Sequence, residues 1–252
     1  IMISFMLYEG LKQTAVYAIG AYMCSILVVP VRQIIRVTFP IITNNWKRKN
    51  LDSISEIYRK SSINLLLIGG FIFIVIWINM SNLIRILPEE YFAIRYVFLF
   101  LAIGELFNMA TSVNNAIIIA SKYYRFNLVL SIILIAMTII TNIIFIPVFG
   151  IKGAAIATSL TIIVLNLIRY LFVLYKLRMQ PFTINTFWCI LIIIPSILIS
   201  YIIPEFENIY FDIFIRSGIC IAIFVCSSYF LKVSTEYNEI VNNILRIRPK
   251  DK

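Results

Sequence analysis

Seven apolar stretches run along this chain, separated by short polar gaps. Each is about as long as the ~20 residues that carry an α-helix across a bilayer. No water is present in hydrocarbon to satisfy a bare N–H or C=O, so such runs fold as helices. The pattern predicts an all-α integral membrane protein. The spans are expected near residues 14–42, 62–80, 92–120, 126–148, 154–175, 186–203 and 210–231. Pro30 is expected to kink the first of them. Residues 44–60, 82–91 and 121–125 read as connecting segments, and residues 232–252 as a polar tail. Ile1–Leu7 is already apolar and reads as the tail of an earlier helix, so the chain is expected to be a fragment.

Charge supports a membrane location. Charged residues make up only 13% of the chain, against about a quarter in soluble domains. The net charge of +10 follows the loops, so no nucleic-acid partner is expected. Lys47, Arg48, Lys49, Arg59, Lys60, Lys122, Arg125, Lys176, Arg178 and the tail form one set. Arg85, Arg95 and Lys152, with most loop acids, form the other. The lysine and arginine bias makes the first set cytoplasmic, with a cytoplasmic C-terminus.

Catalytic signals are thin. The chain has no histidine, so a Ser-His-Asp triad and a histidine-based acid or base are excluded. Cys24, Cys189, Cys220 and Cys226 lie in apolar runs without a CxxC pair and read as small buried hydrophobes. No metal, cofactor or catalytic residue is expected. The Gly150-Ile151-Lys152-Gly153 turn lacks the strand and the glycine spacing of a dinucleotide site. Asn79-Met80-Ser81 matches a glycosylation sequon, read as a chance match.

Polar side chains within the spans are costly and mark bundle interiors or wet cavities. Arg32 and Arg36 lie four apart on one helical face, with Gln33 beside them. They form either a cationic stripe gripping a phosphate or pyrophosphate group, or a pair snorkelling to the headgroups. Glu105, with Asn108 one turn on, is the clearest deep acid. It serves either to carry a coupling proton or cation, or to pack against neighbouring helices. Asn142 and Asn166 read as interhelical hydrogen-bond partners. The small residues of Gly153–Ser159 predict close helix packing. Lys122–Arg125 reads as an interfacial anchor, and Glu9 and Lys12 as a solvated outer mouth.

These residues fall into a familiar order. Ala15–Gly20, then Pro30 and Arg32, then Phe39–Thr43 resemble the start of the C-terminal half of the polysaccharide flippases of the multidrug/oligosaccharidyl-lipid/polysaccharide exporter superfamily. Ile57–Ser61, Ser121–Arg125, Ile146–Thr158 and Met179–Phe182 resemble successive landmarks of that half. The resemblance runs from about Glu9 to Phe182. It implies a second transmembrane bundle over residues 1–182, two further helices over 183–231 and a cytoplasmic basic tail over 232–252. It also implies a first bundle, not contained in this sequence, as partner.

The implied activity is movement of an undecaprenyl-pyrophosphate-linked oligosaccharide across a bacterial cytoplasmic membrane by alternating access, with no bond made or broken. Arg32, Arg36 and Gln33 would hold the pyrophosphate, and Glu105 and Asn108 are coupling-ion candidates. The partners would be this lipid-linked substrate, membrane lipids and the facing bundle. Three rivals stand beside it. A cation-coupled multidrug exporter would share the fold and lean on Glu105. A membrane-embedded polymerase or glycosyltransferase would need a larger outer loop than the chain provides. A structural membrane subunit would not explain charges within the spans.

Overall fold

The computed structural model describes residues 10–202 and 206–244. The proposed earlier helix at Ile1–Leu7, Glu9, Pro204, Glu205 and the last basic residues of the tail lie outside them. Among the described residues all regular structure is helical, with no strand. We number the helices α1 (Gly10–Lys47), α2 (Leu51–Ile78), α3 (Met80–Arg85), α4 (Ile94–Thr111), α5 (Asn114–Ala120), α6 (Tyr124–Phe149), α7 (Ile151–Phe172), α8 (Ile184–Ile202), α9 (Ile209–Phe230) and α10 (Thr235–Ile244). A 3-10 turn at Glu89–Tyr91 precedes α4, and a π-helical turn at Val173–Leu177 extends α7.

Among the described residues, six segments are long and apolar enough to cross a membrane. They are α1, α2, Glu89–Thr111, α6, Ile151–Leu177 and α9. The protein is therefore a multi-pass membrane protein. The expected seventh span falls on α8, which is apolar but, taken over Ile184–Leu198, shorter than the others.

Two expectations need correction. Residues 44–60 are not a loop: α1 runs to Lys47, and α2 starts at Leu51 after a three-residue turn. The Asn50 side chain caps α2 by accepting from the Ser53 N–H at 3.2 Å. Lys60 and Glu56 then pair along α2 at 2.9 Å. With 38 residues, α1 is about 57 Å long at 1.5 Å per residue and outreaches a hydrocarbon core of about 30 Å. The helix continues past both Pro30 and Pro40.

The span expected at 92–120 is broken. Ser112 takes φ 48° and ψ −121°, separating α4 from α5. L-residues rarely adopt this conformation, at a cost of about 1–3 kcal/mol. The polar tail opens with a helix. Residues Thr235–Ile244 form α10, which folds back so that the Ser234 hydroxyl donates to Asn64 Oδ1 at 2.6 Å. Lys60 meets Glu236 at 3.3 Å.

The small-residue prediction finds its partner in α4. A Cβ on Gly104 would lie 3.0 Å from Ser159 Oγ, so α4 and α7 meet almost backbone to backbone. The turn into α7 needs both of its glycines. Gly150 has φ 59°, and a Cβ on Gly153 would overlap the Phe145 carbonyl oxygen at 2.0 Å.

Three apolar clusters hold the bundle. One joins α1, α2, α4 and the start of α7, around Leu27, Phe73 and Phe98. The second packs α8 and α9 on α2 around Leu66, Ile192 and Phe224. The third gathers Ile42, Tyr58, Ile117 and Val173 around α5. By contrast, α6 leans on α7 and leaves Ile132, Ile135, Ile140 and Ile144 exposed, the pattern of a helix facing acyl chains. Cys24, Cys189 and Cys220 are buried as expected, but Cys226 is exposed; all four are free thiols.

Candidate functional site

On α1 the buried positions Val16, Gly20, Cys24, Leu27 and Val31 recur every three to four residues and turn one face to the bundle. The opposite stripe carries Tyr22, Ser25, Val29, Arg32 and Arg36, spaced three and four apart and all exposed, with Gln33 exposed beside it. The two arginines therefore share one face, as their spacing predicts, and rise about 6 Å along the axis.

Glu105 lies across a groove from this helix. The groove encloses about 190 Å³ between α1, α4 and α7, lined by Tyr17, Cys24, Ser25, Leu101, Glu105 and Thr158 among others. Glu105 is half-buried, and its Oε2 accepts from Asn108 Nδ2 at 3.0 Å. The Arg32 charge is close enough to act on the Glu105 carboxylate. Tyr17 and Thr158 hydroxyls meet at 3.1 Å and tie α1 to α7 at the groove wall. Arg32 and Glu105 thus belong to one electrostatic neighbourhood, and Asn108 holds the acid. The groove combines the Glu105 carboxylate with the hydroxyls of Tyr17, Ser25 and Thr158 and the Cys24 thiol in a wall that is otherwise apolar. It can bind a polar group.

The other predicted polar residues divide. Asn166 does link two helices: its carbonyl O and Oδ1 accept from Asn114 Nδ2 at 3.4 and 3.5 Å. Asn142 does not, because its Nδ2 donates to Thr138 O one turn back in the same helix. The link between α6 and α7 is made instead by Thr141 and Thr161, 3.3 Å apart. The Lys122 ammonium sits 5.2 Å from the Tyr123 ring, and Arg125 lies over the Tyr124 ring, in keeping with an interfacial anchor. Lys12 pairs with Glu90 at 3.9 Å. Lys152 caps the Tyr96 ring at 3.9 Å, and Arg95 donates to Ser81 at 2.7 Å. The second charge set thus gathers at one end of the bundle.

Sequence reasoning missed a buried polar cluster. Asp212 and Arg216 on α9 pair at 2.8 Å and are nearly inaccessible. Asn82 donates to Asp212, and the Phe206 N–H donates to its other oxygen at 3.1 Å. The i,i+4 spacing of an acid and an arginine in an apolar run was the available signal. Asn79, which donates to Ser217 at 2.8 Å, adds a second tie to α9. The unpaired Nε of Arg169, buried in α7, was also overlooked. Among the described residues no group of histidine, cysteine or carboxylate side chains could hold a metal.

No protein-family model, curated protein or solved structure matches this chain.

Proposed function

We propose that this chain forms one half of a flippase that carries a lipid-linked, pyrophosphate-bearing oligosaccharide from one leaflet to the other. A supporting observation is the contrast between two exposed faces. The outer face of α6 is a field of isoleucines, whereas the exposed stripe of α1 bears Arg32, Gln33, Arg36, Ser25 and Tyr22. Against acyl chains each arginine near a span centre would cost about 2.5–3.5 kcal/mol, so the α1 stripe fits a wet space shared with a second bundle. Arginine forks there suit a pyrophosphate, while the sugar travels in water and the polyprenyl tail stays in lipid. The seven-span count, with α8 crossing, belongs to this reading, as do a bacterial inner-membrane location and a cytoplasmic C-terminus.

Replacing Arg32 and Arg36 together by alanine in the encoding cell tests it. The expected outcome is loss of surface polysaccharide with the protein still present in the membrane fraction. Normal surface display by that variant would remove the substrate assignment. The half-buried Glu105, held by Asn108 beside a groove, favours a second reading, a cation-coupled exporter of organic cations. That reading predicts dye efflux that Glu105→Gln abolishes.

A further inference from the structure

The end of the bundle opposite Lys12 and Arg95 carries a groove that neither the sequence nor the proposed transport path accounts for. It encloses about 660 Å³, within the range of small-molecule sites. Three segments far apart in sequence build it. The end of α1 contributes Thr43, Trp46 and Lys47, the turn before α6 contributes Lys122, and the segment after α7 contributes Lys176 and Arg178. Arg178 ends the π-helical turn in the left-handed region, at φ 56°. All four cations are exposed, and no carboxylate lines the groove.

Positive loops alone would explain cations at this end. They do not explain why cations from three separate segments line one concavity without an acid. The Trp46 side chain forms part of the groove wall. Leu51, Ala120 and Leu177 supply apolar wall beside the charges. Four ammonium and guanidinium groups beside an apolar wall match the phosphodiester and upper acyl chain of an anionic phospholipid.

We propose that this groove is a binding site for the phosphate headgroup of an anionic lipid from the leaflet at that end. It would bind in addition to, and independently of, any lipid-linked sugar carried along α1.

Native mass spectrometry of the full chain in neutral detergent tests this, with phosphatidylglycerol and phosphatidylcholine as the two probes. The wild type retains phosphatidylglycerol in preference to phosphatidylcholine. The Lys122→Gln/Arg178→Gln variant binds it about thirtyfold more weakly, at roughly fivefold per cation removed. The Lys122→Arg/Arg178→Lys variant keeps the charge and keeps the binding, which separates lost charge from lost folding. Equal retention of phosphatidylglycerol by wild type and the glutamine variant overturns the site, as does equal retention of the two lipids. Displacement of bound phosphatidylglycerol by millimolar inorganic phosphate overturns the lipid assignment in favour of a soluble phosphate.

Discussion

At the scale of single residues, the costliest feature is the Asp212–Arg216 pair inside α9. Both groups are withdrawn from solvent, and the Asp212 carboxylate also accepts from Asn82 and the Phe206 N–H. Removing one partner of a buried pair leaves the other charge stranded, at about 3–5 kcal/mol. Asp212→Ala should therefore lower the thermal midpoint of the detergent-purified protein sharply. Asp212→Ala/Arg216→Met should recover most of the loss, because no lone charge is then left. A single variant as stable as the parent would show that the pair contributes nothing. The i,i+4 spacing of this pair was legible in the sequence, but Asn82 lies 130 residues away, and only the packing of α9 on α3 brings it in. The Gly150–Gly153 turn was legible as a break. The backbone reason, a left-handed φ and a carbonyl where a Cβ would stand, was not.

At the scale of elements, α10 is the part least visible in advance. Its sequence is polar and reads as a tail, yet Val233 and Ser234 are buried where it turns back on α2. Glu236 ties the return. Burial pulls its carboxyl upward. Hydrogen bonds from its own backbone N–H, from Thr235 and Ser234, and from the Lys60 ammonium outweigh burial and hold it below the usual carboxylate range. A carboxyl lowered by folding adds stability that is complete above its unfolded value of about 4.3 and is lost as pH falls through the lower folded value. Amide protection across residues 235–244, measured relative to the intrinsic exchange rate at each pH, should thus be high at neutral pH and fall below about pH 4, with Glu236→Gln low at both. Unchanged protection on acidification would place the anchor elsewhere, in the Ser234–Asn64 hydrogen bond. The helices themselves were legible because the apolar runs are long. The break at Ser112 was not, because Thr111, Ser112 and Val113 carry neither glycine nor proline to mark it.

At the scale of the whole molecule, part of the separation of charge was legible. Four of the cations that sequence assigned to one side, Lys47, Lys122, Lys176 and Arg178, line one groove. Those assigned to the other meet at Glu90, Ser81 and Tyr96. The helix count was less secure, because α8 contains Pro195 and is short over Ile184–Leu198. If α8 crosses, single cysteines placed at residues 180 and 207 in a cysteine-free background will react with impermeant thiol reagents from opposite sides of the membrane. Labelling of both from one side would make α8 a surface or re-entrant segment. The nature of the space beside Arg32 was not legible from one helix alone. It depends on which faces α2, α4 and α7 occupy, and the contrast with α6 emerges only once they are placed.

The interruption at Ser112 carries a mechanical consequence. The α4 side of that joint is seated among Leu27, Phe73 and Phe98, while the α5 side is seated among Ile42, Tyr58 and Val173. The two pieces are moored mainly to different side chains, bridged by Ile34 and Ile35 of α1, so a load on one passes to the other through α1 and α2 rather than along a single rod.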